Sequence, residues 1–341
     1  SDDYEVSVVM PCLDEAETLA SCIDKASAAF DAHGIKGEVV IGDNGSTDGS
    51  QQIAESHGAV VTNVSSRGYG AALMGGIQAA RGRYIVMGDA DDSYDFGELP
   101  KFVEKLRNGA DFVIGCRFPG GGGRILPGAM PFLHRWLGTP VLTWLGNLFF
   151  NTSIGDINCG MRGFTKAAYQ DMNLRSPGME FASEMVMKAA LMNIRTEQVP
   201  ITLHPDGRSR EPHLRTWRDG WRHLRFMLLY SPRWLFVIPG MILFVLGLIG
   251  VAGLAAGPIE FGGLVFSTNS HIVSAMVVLL GFQTMSLGVF AKAFAVFRGL
   301  LPGDRSSDRI LRLLKLEHTV VSGAIVLLAG IALLIWAVTI W

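Results

Sequence analysis

Residues 84–96, YIVMGDADDSYDF, carry an apolar stretch (Tyr84, Ile85, Val86, Met87) into Gly88 and then four carboxylates, Asp89, Asp91, Asp92 and Asp95. The stretch has the length and β-branched character of a buried strand. Four negative charges at one strand end repel one another unless solvent or a cation lies between them. A solvated, acid-rich turn accounts for Asp95 and needs no ligand. The other reading is a divalent cation with an anionic group on its far side. Hard cations such as Mg²⁺ take oxygen ligands, commonly one or two carboxylates completed by substrate phosphates. That chemistry requires an anionic substrate, and the surrounding elements must present it.

Residues 5–210 alternate between strand-like and helix-like pieces. EVSVVMP reads as a strand, and DEAETLASCIDKASAAFDAHG as a helix with Leu19, Cys22, Ile23 and Ala26 at helical spacing, ending at Gly34. GEVVIGDNGSTDGS is a second strand entering a turn, QQIAESHG a short helix, AVVTNV a third strand and GAALMGGIQAARG a helix. YIVMGD, the helix ELPKFVEKLRNG and the strand DFVIGCR follow. Such alternation predicts an α/β domain, a parallel sheet covered by helices on both faces. Ligands of such sheets bind beyond the carboxyl ends of the strands. There fall Asp14-Glu15, Asp43-Asn44, Arg67, Asp89-Ala90-Asp91 and Arg117. A dinucleotide fingerprint would place GxGxxG after the first strand. Here PCLDEAETL follows it, and the nearest match (Gly68, Gly70, Leu73) lacks its third glycine. No Walker GxxxxGK[ST] occurs.

The chain of 341 residues is 49% hydrophobic, and that content is unevenly placed. Residues 235–257, 272–291 and 319–341 contain no charged side chain. At about 1.5 Å per residue each is long enough to cross a hydrocarbon core of ~30 Å. The loop 257–271 has no Lys or Arg and a single acid, Glu260, whereas 298–315 carries Arg298, Arg305, Arg309, Arg312 and Lys315. Arg218, Arg222, Arg225 and Arg233 precede the first span. The positive-inside rule then predicts an integral membrane protein with its large N-terminal part in the cytoplasm. The four cysteines (Cys12, Cys22, Cys116, Cys159) lack CxxC spacing and suit reduced, structural thiols. The net charge of −2 identifies no partner. The chain opens on Ser1 without Met and stops at Trp341, the end of an apolar stretch, so both ends read as trimmed and a further helix is expected.

VVMPCLDEAETL, VVIGDNGSTDGS, RGYGAAL, YIVMGDADDSYDF and GDINCGMRGF occur in the order seen in family 2 glycosyltransferases of the GT-A fold. With IGCRF, DGRSR and the trailing spans, the chain resembles the polyprenyl-phosphate glycosyltransferases, the dolichol-phosphate mannose and glucose synthase group. The resemblance covers about residues 5–230 and rests on motif order. It implies a GT-A nucleotide-diphospho-sugar transferase domain (Rossmann-like, mostly parallel sheet) over residues 1–212, with interfacial helices at 130–150. An amphipathic juxtamembrane helix at 213–233 and a transmembrane domain at 234–341 would follow, with spans near 235–257, 272–297 and 319–341.

The resemblance also implies roles. Pro11, Glu15 and Asp43 would hold the nucleotide base and ribose, with Arg67 also on the nucleotide-sugar side. Asp89-Ala90-Asp91 matches the DxD motif; Asp91 would ligate Mg²⁺ or Mn²⁺ and Asp89 would hold sugar, ribose or a metal-bound water. Ser93 stands where the mannose synthases carry Gln, as a third metal candidate. Arg117, Arg135 and Arg208 fall where the family binds the acceptor phosphate and the diphosphate. Asp156 matches the Asp of the family's D-x-x-x-G segment near the acceptor, and Asp91, Arg117 and Asp156 form the implied catalytic set.

Elementary chemistry leads to the same groups. Transfer from a nucleotide sugar requires charge to be neutralised on the departing diphosphate, which a metal and an arginine accomplish electrostatically. A lipid phosphate is already an anion, so its site needs cations more than a strong base. Planar guanidinium forks suit phosphate best, which gives Arg117, Arg124, Arg135, Arg208 and Arg210 a purpose beyond solvated charge. Residues 130–150, MPFLHRWLGTPVLTWLGNLFF, are too apolar for a surface loop yet interrupted by His134, Arg135 and Pro140. They read as one or two helices in the membrane interface, against the alternative of a core helix. In HLRTWRDGWRHLRFMLLY, helical spacing sets Arg215, Arg218, Arg222 and Arg225 within an arc of roughly 80°, beside one of Trp217, Trp221, Leu224 and Leu228. Such a helix suits an anionic membrane surface. His213, His223 and the other histidines show no metal spacing.

The expected partners are therefore a nucleotide sugar, a polyprenyl phosphate and the membrane, without nucleic acid; a homo-oligomer is left open. The expected reaction is an inverting transfer from a UDP-sugar (UDP-glucose or another) or GDP-mannose to the lipid phosphate. One rival is a processive polysaccharide synthase, whose QxxRW motif meets only FLHRW and YSPRW here. The other is a non-enzymatic nucleotide-binding membrane protein, which would not need an intact DxD.

Overall fold

The computed structural model describes residues 4–209, 216–301, 303 and 316–340. Arg210, His213, Arg215, Arg305, Arg309, Arg312, Lys315 and the side chain of Trp217 lie outside the described residues. The chain forms two compact units, Ser1–Tyr230 and Ser231–Trp341.

The strands of the first unit are β1 (Val6–Cys12), β2 (Gly37–Asp43), β3 (Val60–Asn63), β4 (Tyr84–Met87), β5 (Phe112–Cys116), β6 (Arg124–Ile125), β7 (Arg162–Thr165), β8 (Thr196–Pro200) and β9 (Thr202–Leu203). Its helices are α1 (Leu19–His33), α2 (Ser50–Ser56), α3 (Tyr69–Ala79), α4 (Leu99–Arg107), α5 (Thr139–Phe150), α6 (Lys166–Met172), α7 (Glu180–Leu191) and α8 (Thr216–Tyr230). Seven strands form one sheet in the order β3-β2-β1-β4-β7-β5-β8, and β6 pairs with β9 separately. β1, β2 and β4 are almost wholly buried. Side chains such as Val8, Val40 and Val86 are fully covered by the flanking helices, each worth about 1.5–3 kcal/mol of apolar burial. α4 shows the pattern clearly: Leu99, Phe102, Val103 and Leu106 face the sheet at helical spacing, with Lys101 and Glu104 outside.

Register places the site. β1 runs parallel to β2 and β4, with Cys12 opposite Asp43 and Val9 opposite Met87. The turns after all three strands therefore leave the same sheet edge. β7 departs from the expected parallel order: it runs antiparallel to both β4 and β5, with Met87 opposite Arg162. Its reversed direction brings the segment before it, 156–161, to the edge where β4 delivers its acids. A four-residue strand with Gly163 in its middle carries little periodicity, which is why the sequence pattern does not announce it.

A five-residue π-helical segment, His134–Gly138, leads into α5. α5 buries Thr139, Thr143 and Gly146, while Phe132, Trp136, Leu137, Val141, Trp144 and Leu148 are exposed. These apolar side chains point outward, while Leu142, Phe149 and Phe150 pack against the core. α8 docks on α7 through His223, Phe226, Met227 and Tyr230. That face is a third one, distinct from the arginine arc and from the tryptophan arc; Trp221 is exposed.

The second unit contains α9 (Ile238–Ala255), the hairpin β10 (Ile259–Phe261) and β11 (Leu264–Phe266), α10 (Thr268–Phe297) and α11 (Leu316–Ile340). Among the described residues, three helical stretches, Arg233–Ala255, Thr268–Phe297 and Thr319–Ile340, are long and apolar enough to cross a membrane. α9 and α10 pack on small residues: a Cβ on Gly281 would stand 2.7 Å from the carbonyl oxygen of Gly240, the close backbone approach typical of helices in lipid.

Candidate active site

The four carboxylates after β4 separate into different roles. Asp95 caps a short 3₁₀ turn, accepting from Gly97 N at 2.8 Å, the service expected of a solvated turn. Asp92, in left-handed backbone at φ 61°, pairs with Lys25 at 2.7 Å and accepts from Ser21 Oγ at 3.2 Å. Asp89 and Asp91 turn toward the sheet edge. Asp91 Oδ1 accepts from Ser93 Oγ at 2.5 Å and from Ser93 N at 3.0 Å. Its Oδ2 accepts from Arg208 Nη2 at 2.8 Å.

Arg208 is the centre of an acidic group. Besides Asp91 it reaches Glu15 Oε1 at 3.3 Å and Asp206 Oδ2 at 3.1 Å. Burial works against its charge, but Asp91, Asp206 and Glu15 outweigh burial and hold the guanidinium above its ordinary range. Its Nε is buried with no hydrogen-bond acceptor among the described residues. Asp89 accepts from the Tyr69 hydroxyl at 2.9 Å. Burial, and then the neighbouring Asp91, push its carboxyl up to about 7.

These observations test whether a cation fits. Two carboxylates and the Ser93 hydroxyl supply hard oxygen donors, and the upward pressure on Asp89 is one that a divalent ion would relieve. Among the described residues no cluster of three or more His, Cys, Asp or Glu forms a complete metal cage. An open set of this kind suits Mg²⁺ or Mn²⁺ whose remaining ligands come from phosphate oxygens.

A second group lies beside the first. Arg117 donates from Nε and Nη2 to Asp156 at 2.6 and 2.9 Å, and from Nη1 to the Tyr94 hydroxyl at 3.4 Å. The Asp156 side chain is 0% exposed. Burial opposes the charge on Arg117, but Asp156 more than compensates and keeps it firmly protonated. The Tyr94 hydroxyl also accepts from Gly160 N at 2.8 Å. A Cβ on Gly160 would stand 2.9 Å from Asp89 Oδ2, so this residue joins the two groups.

The turns after β1 and β2 are stapled to each other. Asp43 accepts from Gly45 N, Ser46 N and Gln51 Nε2 at 2.8, 3.1 and 2.6 Å. Burial pushes its carboxyl up, and these hydrogen bonds together pull it below the usual range. Asn44 donates to the carbonyls of Val64 and Ser66 at 3.1 and 2.9 Å and accepts from Gly68 N at 2.9 Å. Only an amide matches that set of two acceptors and one donor. Glu15 N donates to Ser50 Oγ at 3.0 Å, joining the turn after β1 to the turn after β2.

The structure thus brings Glu15, Asp89, Ala90, Asp91, Ser93 and Arg208 together, and Arg117 with Asp156 next to them. Ala90 contributes its carbonyl, accepting from Thr18 Oγ1 at 2.6 Å. Pro11 and Asp43 lie on the same edge, Arg67 is exposed just before α3, and the Arg135 guanidinium lies 5.6 Å above the Trp136 ring. Arg124 is exposed at β6. Tyr69, Tyr94 and Arg162 are contributors that sequence reasoning does not single out. Arg162 is 0% exposed and donates to the carbonyls of Cys159, Ile157 and Ala182, holding the segment that carries Asp156. Its one sequence signal is a lone arginine inside MRGF.

A mostly parallel sheet of this order, with paired aspartates at its carboxyl edge and apolar helices after it, defines a GT-A-like sugar-transferring unit attached to a membrane region. Residues 7–172 match glycosyl transferase family 2, and residues 289–341 match the glycosyltransferase family 2 C-terminal transmembrane region. The chain is 41% identical over 329 residues to the low-salt glycan biosynthesis hexosyltransferase Agl6 of Haloferax volcanii, covering 96% of this chain and 78% of that protein. It is 28% identical over 197 residues to a dolichyl-phosphate hexose transferase of the same organism, covering 58% of this chain and 82% of that one. Glucosyl-3-phosphoglycerate synthase from Mycobacterium tuberculosis, in complex with Mn²⁺, UDP and glucosyl-3-phosphoglycerate, shares the fold. That match has a TM-score of 0.51 at 20% identity and covers 66% of this chain and 79% of that one. The chain belongs to glycosyl transferase family 2. It is a glycosyltransferase of the membrane.

Proposed function

We propose that the protein transfers a hexose from a nucleotide sugar, a UDP-sugar such as UDP-glucose or else GDP-mannose, to a polyprenyl phosphate at the cytoplasmic membrane face. The observation that carries this reading is the joint placement of Asp89, Asp91 and Arg208 at one sheet edge, in a chain with three membrane-length helices. The dolichyl-phosphate hexose transferase relative supports the lipid acceptor. The UDP and Mn²⁺ complex of the structural neighbour supports a nucleotide diphosphate with a divalent ion.

Asp91, with Asp89 and Ser93, would hold Mg²⁺ or Mn²⁺, which supplies charge neutralisation on the diphosphate leaving group. Arg208, whose Nε lacks an acceptor among the described residues, would exchange its carboxylate contacts for a phosphate. Pro11, Glu15, Asp43 and Arg67 line the base and ribose side. Arg117 commits three of its five N–H groups to Asp156 and Tyr94, and the remaining two, with Arg135, would serve the acceptor phosphate. The acceptor oxygen attacks the anomeric carbon opposite the diphosphate; the new C–O bond forms as the old one breaks, and the configuration inverts. No proton needs to be removed from an ionised phosphate, so the site contains arginines where a hydroxyl acceptor would need a base.

Incubating the full-length protein with a panel of nucleotide sugars and a polyprenyl phosphate, then weighing the lipid by mass spectrometry, tests this. The expected result is a glycosylated lipid of inverted configuration. A lipid that gains no sugar from any donor, or a retained configuration, overturns it.

A further inference from the structure

Glu184 on α7 is 1% exposed and belongs to neither group of the site. Its Oε2 accepts from Arg175 N and Ser176 N at 3.0 and 2.8 Å. Its Oε1 pairs with Lys188 Nζ at 2.7 Å and accepts from the Tyr230 hydroxyl at 3.3 Å. Lys188 donates in turn to Asn173 O at 2.7 Å. A buried carboxylate with four donors is held very firmly, and what it holds is the backbone of residues 173–176.

That backbone is the wall against which the RGYG turn is set. Ala71 N donates to Pro177 O at 2.9 Å. A Cβ on Gly68 would stand 2.2 Å from Pro177 O, and one on Gly70 would stand 2.3 Å from Ser176 O, so the two backbones touch with no room for a side chain. Between these glycines, Tyr69 donates to Asp89 Oδ1 at 2.9 Å. On its other side α7 meets α8 through Ser183 Oγ and His223 Nδ1 at 2.6 Å, and Glu180 with Arg222 at 3.5 Å. A continuous set of contacts therefore runs from α8 through Glu184 to the carbonyls of Ser176 and Pro177, to Tyr69 and to Asp89.

We propose that Glu184 is a positioning residue for the donor half of the site: by fixing the 175–178 backbone it sets the Gly68-Tyr69-Gly70 turn and the carboxylate of Asp89. The inference rests on the sugar-transfer reading in taking that half to bind the nucleotide diphosphate. Removing Glu184 strands two backbone N–H groups and a buried ammonium, and the nearest consequence falls on the donor turn, not on Arg117 and Asp156.

Three forms of the full-length protein test it: wild type, Glu184→Gln, and Glu184→Gln combined with Lys188→Met, which leaves no stranded ammonium and serves where the single variant fails to fold. The probes are hydrogen exchange at residues 67–73, binding of UDP and of GDP with Mn²⁺, and separate KM values for donor and lipid phosphate. The expected result is faster exchange at 67–73 and nucleotide affinity and donor KM worsened about tenfold, the scale on which groups that orient a ligand-holding carboxylate act. The KM for lipid phosphate stays within about twofold. A folded variant with unchanged exchange at 67–73, or with both KM values raised alike, overturns the positioning role. Wild-type protein that binds neither UDP nor GDP overturns the donor reading itself, a result distinct from a variant that binds as tightly as wild type.

Discussion

The Arg117–Asp156 pair and the Arg208–Asp91 pair are built from the same two chemical groups, a guanidinium and a carboxylate, and their surroundings make them opposite devices. Arg117 and Asp156 meet through two hydrogen bonds at 2.6 and 2.9 Å with side chains 9% and 0% exposed. One positive charge meets one negative charge, so the pair is balanced. Arg208 instead faces Asp91, Glu15 and Asp206 within 3.3 Å, with Asp89 next to Asp91, and keeps one donor without an acceptor among the described residues. Here the acids outnumber the base, so the group is complete only when further positive charge arrives. A buried balanced pair is costly to break; an unbalanced one gains from a further positive charge. Ion-pair geometry by itself does not tell the two arginines apart. The local charge balance does.

The contrast predicts opposite responses to removing the acid. Asp156→Ala strands a buried guanidinium and is expected to cost about 3–5 kcal/mol of stability, read as a large drop in thermal midpoint. Asp91→Ala relieves crowding among acids and is expected to leave stability within about 1 kcal/mol of wild type, while turnover falls about 10²–10³-fold or more at saturating Mg²⁺ or Mn²⁺. Equal loss of stability in both variants would erase the distinction. The same logic governs ligand-dependent stabilisation. Mn²⁺ with a nucleoside diphosphate at about 100 times its Kd should raise wild-type stability by about 2.7 kcal/mol, and Asp91→Ala should show little of this rise. A shift of equal size in the variant would place the ion elsewhere.

Smaller effects test the donor side. Asn44→Asp turns two donors into acceptors opposite the carbonyls of Val64 and Ser66. It is expected to cost about 1–3 kcal/mol and to raise the donor KM with the lipid KM unchanged. The pH dependence of Glu184 is smaller still. Burial raises its carboxyl, but Lys188 and the amides of Arg175 and Ser176 prevail and hold it below its ordinary 4.5. A depressed folded-state value means that its contribution is complete above 4.5 and is lost as pH falls through the folded value. The stability gap between wild type and Glu184→Gln, followed by thermal melts, should therefore be widest near neutrality and narrow in acid.

The carboxyl edge of β1, β2 and β4 is legible in the sequence because these strands run parallel and each ends in a polar turn: the apolar run 84–87 followed by Asp89 and Asp91 places those acids without coordinates. The rest depends on packing that no local pattern encodes. The reversal of β7 is invisible in RGFT, yet it carries Asp156 to the site. Arg162 is written as an ordinary charge and is wholly buried on three carbonyls. The juxtamembrane helix shows clear arginine and tryptophan arcs, yet the face that meets α7 is set by Met227 and Tyr230. Asp95 illustrates the converse, since the plain reading as a turn acid is what the fold uses.

The direction of β7 has a consequence for how such a protein can be altered. At the carboxyl edge of β1 and β2, each turn lies between a strand and the element that follows it, so any added residue must also be fitted against Ser46, Ser50 or Asn44. The stretch 151–161 enters β7 from the site's own side, so residues inserted there accumulate where Asp156 stands, whereas residues inserted after Thr165 emerge at the opposite rim. Exchanging 151–161 between relatives is thus a small chimera that would alter the surroundings of Asp156 and leave β1, β2 and β4 in register.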